Sequence, residues 1–264
     1  GNPHTMGCIP RDYSFQPLST FAPPGNMDLI PSSDYQSLIE ERKETMSSLE
    51  DIYLGGPNET PEFENLDQNG DGYCWGYSTV HSVMLIRLRD NQPSVRLNPH
   101  SLCAIIKRGA NQGGWCGLSA QFLREHGVGE QGNGPGQWPL HSRDLSHDNR
   151  AFRESAAKYK VTEEWVDLNH PVYSQNLSKQ MIATCLLRNQ PVALDFAWWG
   201  HSVCGISAVM VDGVLCWLIL NSWKGWGRYG LGIIQGERMQ TMGAVCLRTV
   251  RASPGIQSPS TPLV

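Results

Sequence analysis

A glycine-rich turn passes directly into an apolar helical pattern in the stretch Gln68-Asn69-Gly70-Asp71-Gly72-Tyr73-Cys74-Trp75-Gly76-Tyr77-Ser78. The pattern predicts a helix from Cys74 to about Arg89, which places the thiol of Cys74 in the first helical turn. The partial positive charge of a helix N-terminus stabilises a thiolate, and the first backbone N–H groups lack partners within the helix. Cys74 is therefore the candidate nucleophile among the eight cysteines of the 264-residue chain.

A thiolate nucleophile needs a proton acceptor, and the acceptor needs a group that orients it. The second half of the chain supplies both, because His201 begins a predicted strand and Asn221 follows another in Asn221-Ser222-Trp223. They stand 127 and 147 residues after Cys74. The other seven histidines lack such surroundings and are expected on the surface or in loops.

Four blocks of the sequence resemble those of the papain family of cysteine peptidases, in the family's order. The block around Cys74 resembles Gln-Gly-x-Cys-Gly-Ser-Cys-Trp-Ala-Phe-Ser and keeps the six-residue interval from Gln68. Two others are similar to the family's Cys-Asn-Gly-Gly-aromatic and His-Ala-Val segments, namely Asn111-Gln112-Gly113-Gly114-Trp115 and His201-Ser202-Val203. The fourth, Asn221-Ser222-Trp223-Lys224-Gly225-Trp226-Gly227-Arg228-Tyr229-Gly230, resembles Asn-Ser-Trp-Gly-x-x-Trp-Gly-x-x-Gly. The spacing from cysteine to histidine and asparagine also agrees with the family's roughly 130–150 residues.

The resemblance implies a role for each matching residue. Cys74 is the nucleophile, His201 the general base, and Asn221 the group that orients the imidazole, with Gln68 donating to the oxyanion. Trp223 then shields the bond between histidine and asparagine from water, and Trp75 supports the nucleophile. Four further residues are implied to contact an extended substrate chain or its main pocket: Gly113, Gly114, Trp115 and Gly200.

The order of predicted elements indicates an α+β protein, with helices in the first half and short apolar strands after Pro191. The resemblance implies the two-lobed papain-like fold, a helical lobe and a β-barrel-like lobe with the cleft between them. We expect an N-terminal arm (1–28), a catalytic domain (29–252; helical lobe mainly 67–160, β-rich lobe mainly 161–252) and a flexible Pro/Ser tail (253–264). A capping box at Ser33 predicts one helix that extends to about Tyr53.

The sequence departs from the family beside the nucleophile, where the family's disulfide is missing. Its two cysteine positions are Asp71 and Asn111 here, which favours a reducing compartment such as the cytosol over a secreted one. A side-chain hydrogen bond between Asp71 and Asn111 is expected to replace the bridge. The alternative is a calcium ion held by Asp67, Asn69 and Asp71, which copy the first half of an EF-hand loop. The glutamate that such a loop needs at its end is absent, so no metal and no other cofactor is expected.

Composition excludes several other classes of protein. Lys and Arg number 21 and Asp and Glu 25, which argues against a nucleic-acid-binding protein. Apolar runs are too short for a membrane span. The expected partner is a polypeptide substrate, and the chain is expected to be monomeric.

The function expected from these features is hydrolysis of peptide bonds through a thioester acyl-enzyme. Two alternatives remain open: acyl transfer to an amine at the same Cys-His-Asn site, and a catalytically silent peptide-binding module. The silent module is disfavoured because the cysteine, the histidine and the oxyanion glutamine are all retained.

Overall fold

The helix that carries Cys74, α3 (Cys74–Arg89), is buried over almost its whole length. The computed structural model describes residues 6–13 and 26–253. Small and apolar side chains cover every face of α3, which therefore packs on all sides, as a helix inside a core does. At its C-terminal end Arg89 donates hydrogen bonds to the carbonyls of Asn189 and Arg248. These bonds tie the end of α3 to the β-rich half of the chain.

Six further α-helices lie in the described residues: α1 (Tyr35–Thr45), α2 (Leu49–Tyr53), α4 (His100–Ile106), α5 (Cys116–Glu125), α6 (Arg150–Ala156) and α7 (Gln175–Leu187). The predicted single helix from Ser33 to Tyr53 is wrong, because the chain turns at Met46 in the left-handed region with φ of 51°. Helix α2 then begins at Leu49. The hydroxyl of Ser48, its N-cap residue, accepts the N–H of Asp51.

One antiparallel sheet of six strands occupies the second half of the chain. Its strands are β1 (Val161–Trp165), β2 (Val192–Phe196), β3 (His201–Val211), β4 (Val214–Leu220), β5 (Leu231–Ile234) and β6 (Gly243–Val250). They lie in the order β1-β6-β2-β3-β4-β5. In the pairing of β2 with β3, Phe196 lies opposite His201 and Asp195 opposite Ser202. His201 therefore begins an inner strand of the sheet and is paired there with β2.

Two large apolar clusters form the core, one around α3 and α5 and one between α7 and the sheet. The second cluster also contains Tyr35 at the start of α1, so the chain before the helical half packs on the β-rich side. The α+β class and the papain-like architecture are confirmed. The division at residue 160 stays a prediction. Parts of the arm (1–5 and 14–25) and all of the tail beyond Ser253 lie outside the described residues.

Candidate active site

The thiol of Cys74 stands at the first residue of α3 and is fully buried. Burial and the charge of Asp195 raise the pKa of the thiol, while the backbone N–H groups of Ser202, Trp75 and Cys74 lower it. The net direction is upward, so in this conformation burial outweighs the helix terminus that was expected to stabilise the thiolate. Ser202, whose backbone N–H lowers the pKa of the thiol, directly follows His201, so Cys74 lies beside the start of β3.

His201 and Asn221 form the predicted pair. His201 Nε2 lies 2.8 Å from Asn221 Oδ1, and both residues are fully buried. The amide oxygen can only accept, so Nε2 carries the proton in this contact. Asn221 Oδ1 also accepts the N–H of Ser222 at 2.8 Å, which fixes the orientation of the amide. The ring of His201 is thereby held in one tautomer and one plane.

The indole of Trp223 covers this pair. Its ring stacks on the imidazole of His201 with centroids 4.4 Å apart and an interplanar angle of 20°. Trp199 packs edge-on against both rings, and Trp226 extends the aromatic cluster. The His201–Asn221 hydrogen bond is therefore buried beneath aromatic rings. The role of Trp223 in shielding it from water stays a prediction.

Gln68 connects the nucleophile loop to the segment after β4. Its Nε2 donates to the carbonyl of Asp71 at 2.9 Å, and its Oε1 accepts the hydroxyl of Ser222 at 2.6 Å. The backbone N–H of Gln68 also donates to the carbonyl of Ser222. The side chain is fully buried, and both ends of its amide are hydrogen-bonded, six residues before Cys74.

The two glycines predicted to contact substrate, Gly113 and Gly114, border one side of a groove whose other side is Gly200. Each of the two requires the absence of a side chain. A Cβ on Gly114 would lie 2.6 Å from the indole of Trp75, which itself donates to the carbonyl of Gly72. A Cβ on Gly113 would lie 2.5 Å from the carbonyl of Gly7. Trp115 is partly exposed beside them, with the ammonium of Lys107 5.8 Å from its ring centroid.

Residues 7–9 of the arm lie across this groove. Gly114 donates its N–H to the carbonyl of Gly7, and Ile9 donates to the carbonyl of Gly114, at 3.0 and 2.9 Å. On the other side, Gly7 and Cys8 both donate to the carbonyl of Gly200. The backbone groups that were predicted to bind substrate are therefore engaged by the chain's own N-terminal segment. Composition gives no sign of this, because the segment has no periodicity.

The hydrogen bond expected between the side chains of Asp71 and Asn111 is wrong, because each side chain bonds a different partner. Asp71 Oδ2 lies 2.6 Å from Nε2 of His100, and Asn111 Oδ1 accepts the N–H of Gly72 at 2.7 Å. His100 is fully buried, so its expected surface position is also wrong, as it is for the buried His81. Two side-chain contacts thus hold the nucleophile loop where relatives have a disulfide.

The carboxylates of the acidic turn before Cys74 are hydrogen-bonded to other groups of the protein. Asp67 accepts the backbone N–H of Asn69, and Asp71 pairs with His100. Across residues 6–13 and 26–253 no group of three or more histidine, cysteine or acidic side chains could hold a metal ion. Over the same residues no helix is long and apolar enough to cross a bilayer.

The fold agrees with what known proteins show. No family profile matches the chain. Cysteine proteinase 1 of Entamoeba histolytica is 21% identical over 181 residues, and the match covers 62% of this chain and 57% of that protein. The chain thus spans under two thirds of the length of this curated relative.

Solved structures show the same fold over more of the chain. Xylellain, a cysteine protease from Xylella fastidiosa, superposes with a TM-score of 0.61 at 17% identity, covering 95% of this chain and 97% of that one. Procathepsin B S9 from Trypanosoma congolense gives a TM-score of 0.54 at 12% identity, covering 94% and 87%. The chain has the papain-like cysteine protease fold.

Proposed function

We propose that the chain is a cysteine endopeptidase that hydrolyses peptide bonds through a thioester acyl-enzyme. The observation that supports this best is the 2.8 Å contact between His201 Nε2 and Asn221 Oδ1, beside Ser202, whose backbone N–H lowers the pKa of the Cys74 thiol. This arrangement supports Cys74 as the nucleophile, His201 as the base and Asn221 as the orienting group, the three groups that thiol catalysis needs.

Substrate must first replace residues 7–9 of the arm. An extended peptide can then use the same backbone groups, the N–H and carbonyl of Gly114 and the carbonyl of Gly200. Cys8 of the arm belongs to the same buried cluster as Cys74, so displacement of the arm reduces the burial that raises the pKa of the thiol. The thiol gives its proton to His201 through Nδ1, because Nε2 is bonded to Asn221.

The thiolate then attacks the scissile carbonyl and forms a tetrahedral intermediate. Its oxyanion is stabilised by the backbone N–H of Cys74 and the side-chain amide of Gln68. The imidazolium of His201 protonates the departing amine, which leaves a thioester on Cys74. Water, deprotonated by the same imidazole, hydrolyses the thioester and restores the thiol.

All eight cysteines are free and buried in the structure. This supports a reducing compartment as the place where the enzyme works, because no structural bridge depends on oxidation.

An irreversible label tests the proposed function. We expect an epoxysuccinyl inhibitor of thiol proteases to block peptide hydrolysis and to add one adduct, which mass spectrometry of the digested protein locates on Cys74. The Cys185→Ala variant removes a buried cysteine of α7 and should be labelled and inhibited like the wild type. An adduct elsewhere with full loss of hydrolysis, or full hydrolysis with Cys74 labelled, contradicts the proposal.

A further inference from the structure

The side-chain amide of Gln68 is held by the backbone of the turn that this residue begins. Asn69 and Gly70 at the centre of the turn both have positive φ, 53° and 79°, and the N–H of Asp71 donates to the carbonyl of Gln68 at 3.1 Å. The carbonyl of Asp71 accepts the Gln68 amide in return, at 2.9 Å. A primary amide carries two N–H groups, so this bond and a bond to an oxyanion do not exclude each other. The direction of the Asp71 carbonyl therefore sets the direction of the amide.

That carbonyl belongs to the peptide group between Asp71 and Gly72. Glycine stands on both sides of Asp71 in the sequence Gly70-Asp71-Gly72, and glycine restricts the backbone dihedrals less than any other residue. The backbone by itself does little to fix the rotation of this peptide group, so contacts from outside the turn must fix it.

Two side chains from other parts of the chain supply these contacts. Asn111 Oδ1 accepts the N–H of Gly72, which belongs to the same peptide group, at 2.7 Å. His100 Nε2 lies 2.6 Å from Oδ2 of Asp71. The peptide group is thus held through its own N–H and through the side chain of the residue that supplies its carbonyl.

The imidazole of His100 is itself fixed in place. It is fully buried at the first residue of α4, and its Nδ1 lies 2.7 Å from the hydroxyl of Tyr77 on α3. Tyr73 packs edge-on against the same ring, with centroids 5.0 Å apart. A chain of contacts therefore runs from α3 through His100 and Asp71 to the amide of Gln68.

We propose that His100 and Asn111 are positioning residues of the oxyanion site, which keep the amide of Gln68 aimed at the carbonyl oxygen that becomes negative. The inference rests on the proposed function, because it gives these residues a part in the same hydrolysis. Both act through the peptide group between Asp71 and Gly72 and not by contact with substrate. Since the oxyanion exists only in the tetrahedral intermediate and the transition states beside it, loss of this orientation lowers kcat and leaves KM nearly unchanged.

Kinetics of His100→Ala and Asn111→Ala in the full-length protein test this. Titration with the epoxysuccinyl inhibitor gives the concentration of reactive Cys74, so that kcat refers to active enzyme alone. We expect each substitution to lower kcat about 10–10²-fold with KM within about twofold, because the amide remains but is misdirected. His100→Gln, whose amide can still donate to the same carboxylate, should keep most of kcat. Tyr159→Phe, which removes the hydroxyl that a buried tyrosine donates to Glu130, is the control for lost stability and should keep kcat.

A double-mutant cycle separates positioning from a merely structural role. If His100 acts through Gln68, His100→Ala should change kcat less than about twofold in a Gln68→Ala background, where no amide is left to be aimed. An equal loss of kcat in the two backgrounds overturns the proposal. So does an unchanged kcat in folded His100→Ala or in folded Asn111→Ala.

A readout without turnover separates this inference from the proposed function. In protein that carries isotope-labelled glutamine, the side-chain NMR signals of Gln68 are those missing from Gln68→Ala. We expect these signals to shift in His100→Ala and Asn111→Ala and to stay in place in Tyr159→Phe. Shifted signals together with a wild type that hydrolyses no peptide contradict the peptidase and support the positioning. Unshifted signals in an active enzyme contradict the positioning alone.

Discussion

The imidazole of His100 meets the carboxylate of Asp71 at 2.6 Å, at the position where papain-like relatives have one half of a disulfide. The other ring nitrogen of His100 lies 2.7 Å from the hydroxyl of Tyr77 on α3. Burial lowers the pKa of His100, so the ring is neutral at pH 7, donates to Asp71 and accepts from Tyr77. Burial opposes the ionisation of Asp71, but the hydrogen bond from His100 and the nearby charge of Arg143 hold its pKa below the usual value. A polar chain thus connects the nucleophile loop to α4 and α3.

Removal of the imidazole should destabilise the protein. We expect His100→Ala to lower the free energy of unfolding by about 1–3 kcal/mol, because Asp71 and Tyr77 both lose a partner in a mostly buried place. Urea unfolding measures the change. His126→Ala, at a half-exposed histidine of the α5 C-terminus, is the control and should stay within about 0.5 kcal/mol of the wild type. Equal stability of the two variants contradicts the role given to His100.

A disulfide should still fit where relatives have one. Asn111 bonds the backbone of Gly72, next to Asp71, so we expect the Asp71→Cys/Asn111→Cys variant to form its bridge on mild oxidation. The oxidised form should be about 2–4 kcal/mol more stable than the same variant reduced. Thermal melting of the double variant with and without reductant measures this difference in stability. Asp71→Cys alone should melt alike in both conditions. If the two introduced thiols stay free after oxidation, the correspondence of this loop with the family is wrong.

Loss of the oxyanion amide should reduce turnover. Gln68→Ala is expected to lower kcat about 10²–10³-fold with little change in KM, the usual effect of one oxyanion donor. Gln68 also bonds Asp71 and Ser222, so a thermal melt must show that the variant is folded under assay conditions. Gln121→Ala removes an exposed amide of α5 and should leave kcat unchanged. Unchanged kcat in folded Gln68→Ala removes this residue from the mechanism.

A buried glutamate should make stability depend on pH. Burial raises the pKa of Glu164 to about 7, although Arg124 opposes the shift. The folded state therefore holds a proton that the unfolded state has lost, so this group's contribution to stability is full below about pH 4.5 and declines up to about pH 7. The free energy of unfolding of Glu164→Gln should rise by roughly 2–4 kcal/mol relative to the wild type across that window. Above it the difference should stay constant. Glu125→Gln, at a half-exposed carboxylate, should show no such trend. A difference in unfolding free energy between Glu164→Gln and the wild type that does not vary with pH contradicts the raised pKa of Glu164.

The elements that carry the candidate catalytic residues were predictable from local sequence. Helix α3 has the predicted bounds, since a glycine turn precedes an unbroken run of apolar and small residues. Strand β4 has its predicted bounds for the same reason, because seven residues of high β-propensity lie between turns. The residues of the candidate site follow from these elements and from the family blocks.

The features that the sequence did not reveal depend on tertiary contacts. Strand β1, Val161–Trp165, was missed because two glutamates interrupt its apolar pattern, and one of them is buried only through Arg124. The contact of Cys8 with the groove leaves no periodic signal, since three residues of extended chain have none. The burial of His100 likewise depends on partners 23 and 29 residues away in sequence.

Turnover of a peptide by the wild type and by Cys74→Ala tests the central claim most directly. The substitution removes one sulfur at the first residue of α3, so the melting temperature should change little while hydrolysis falls to the uncatalysed rate. Cys185→Ala, assayed beside it, should hydrolyse the peptide like the wild type. Hydrolysis retained in folded Cys74→Ala would contradict the assignment of the nucleophile and with it the proposed enzyme.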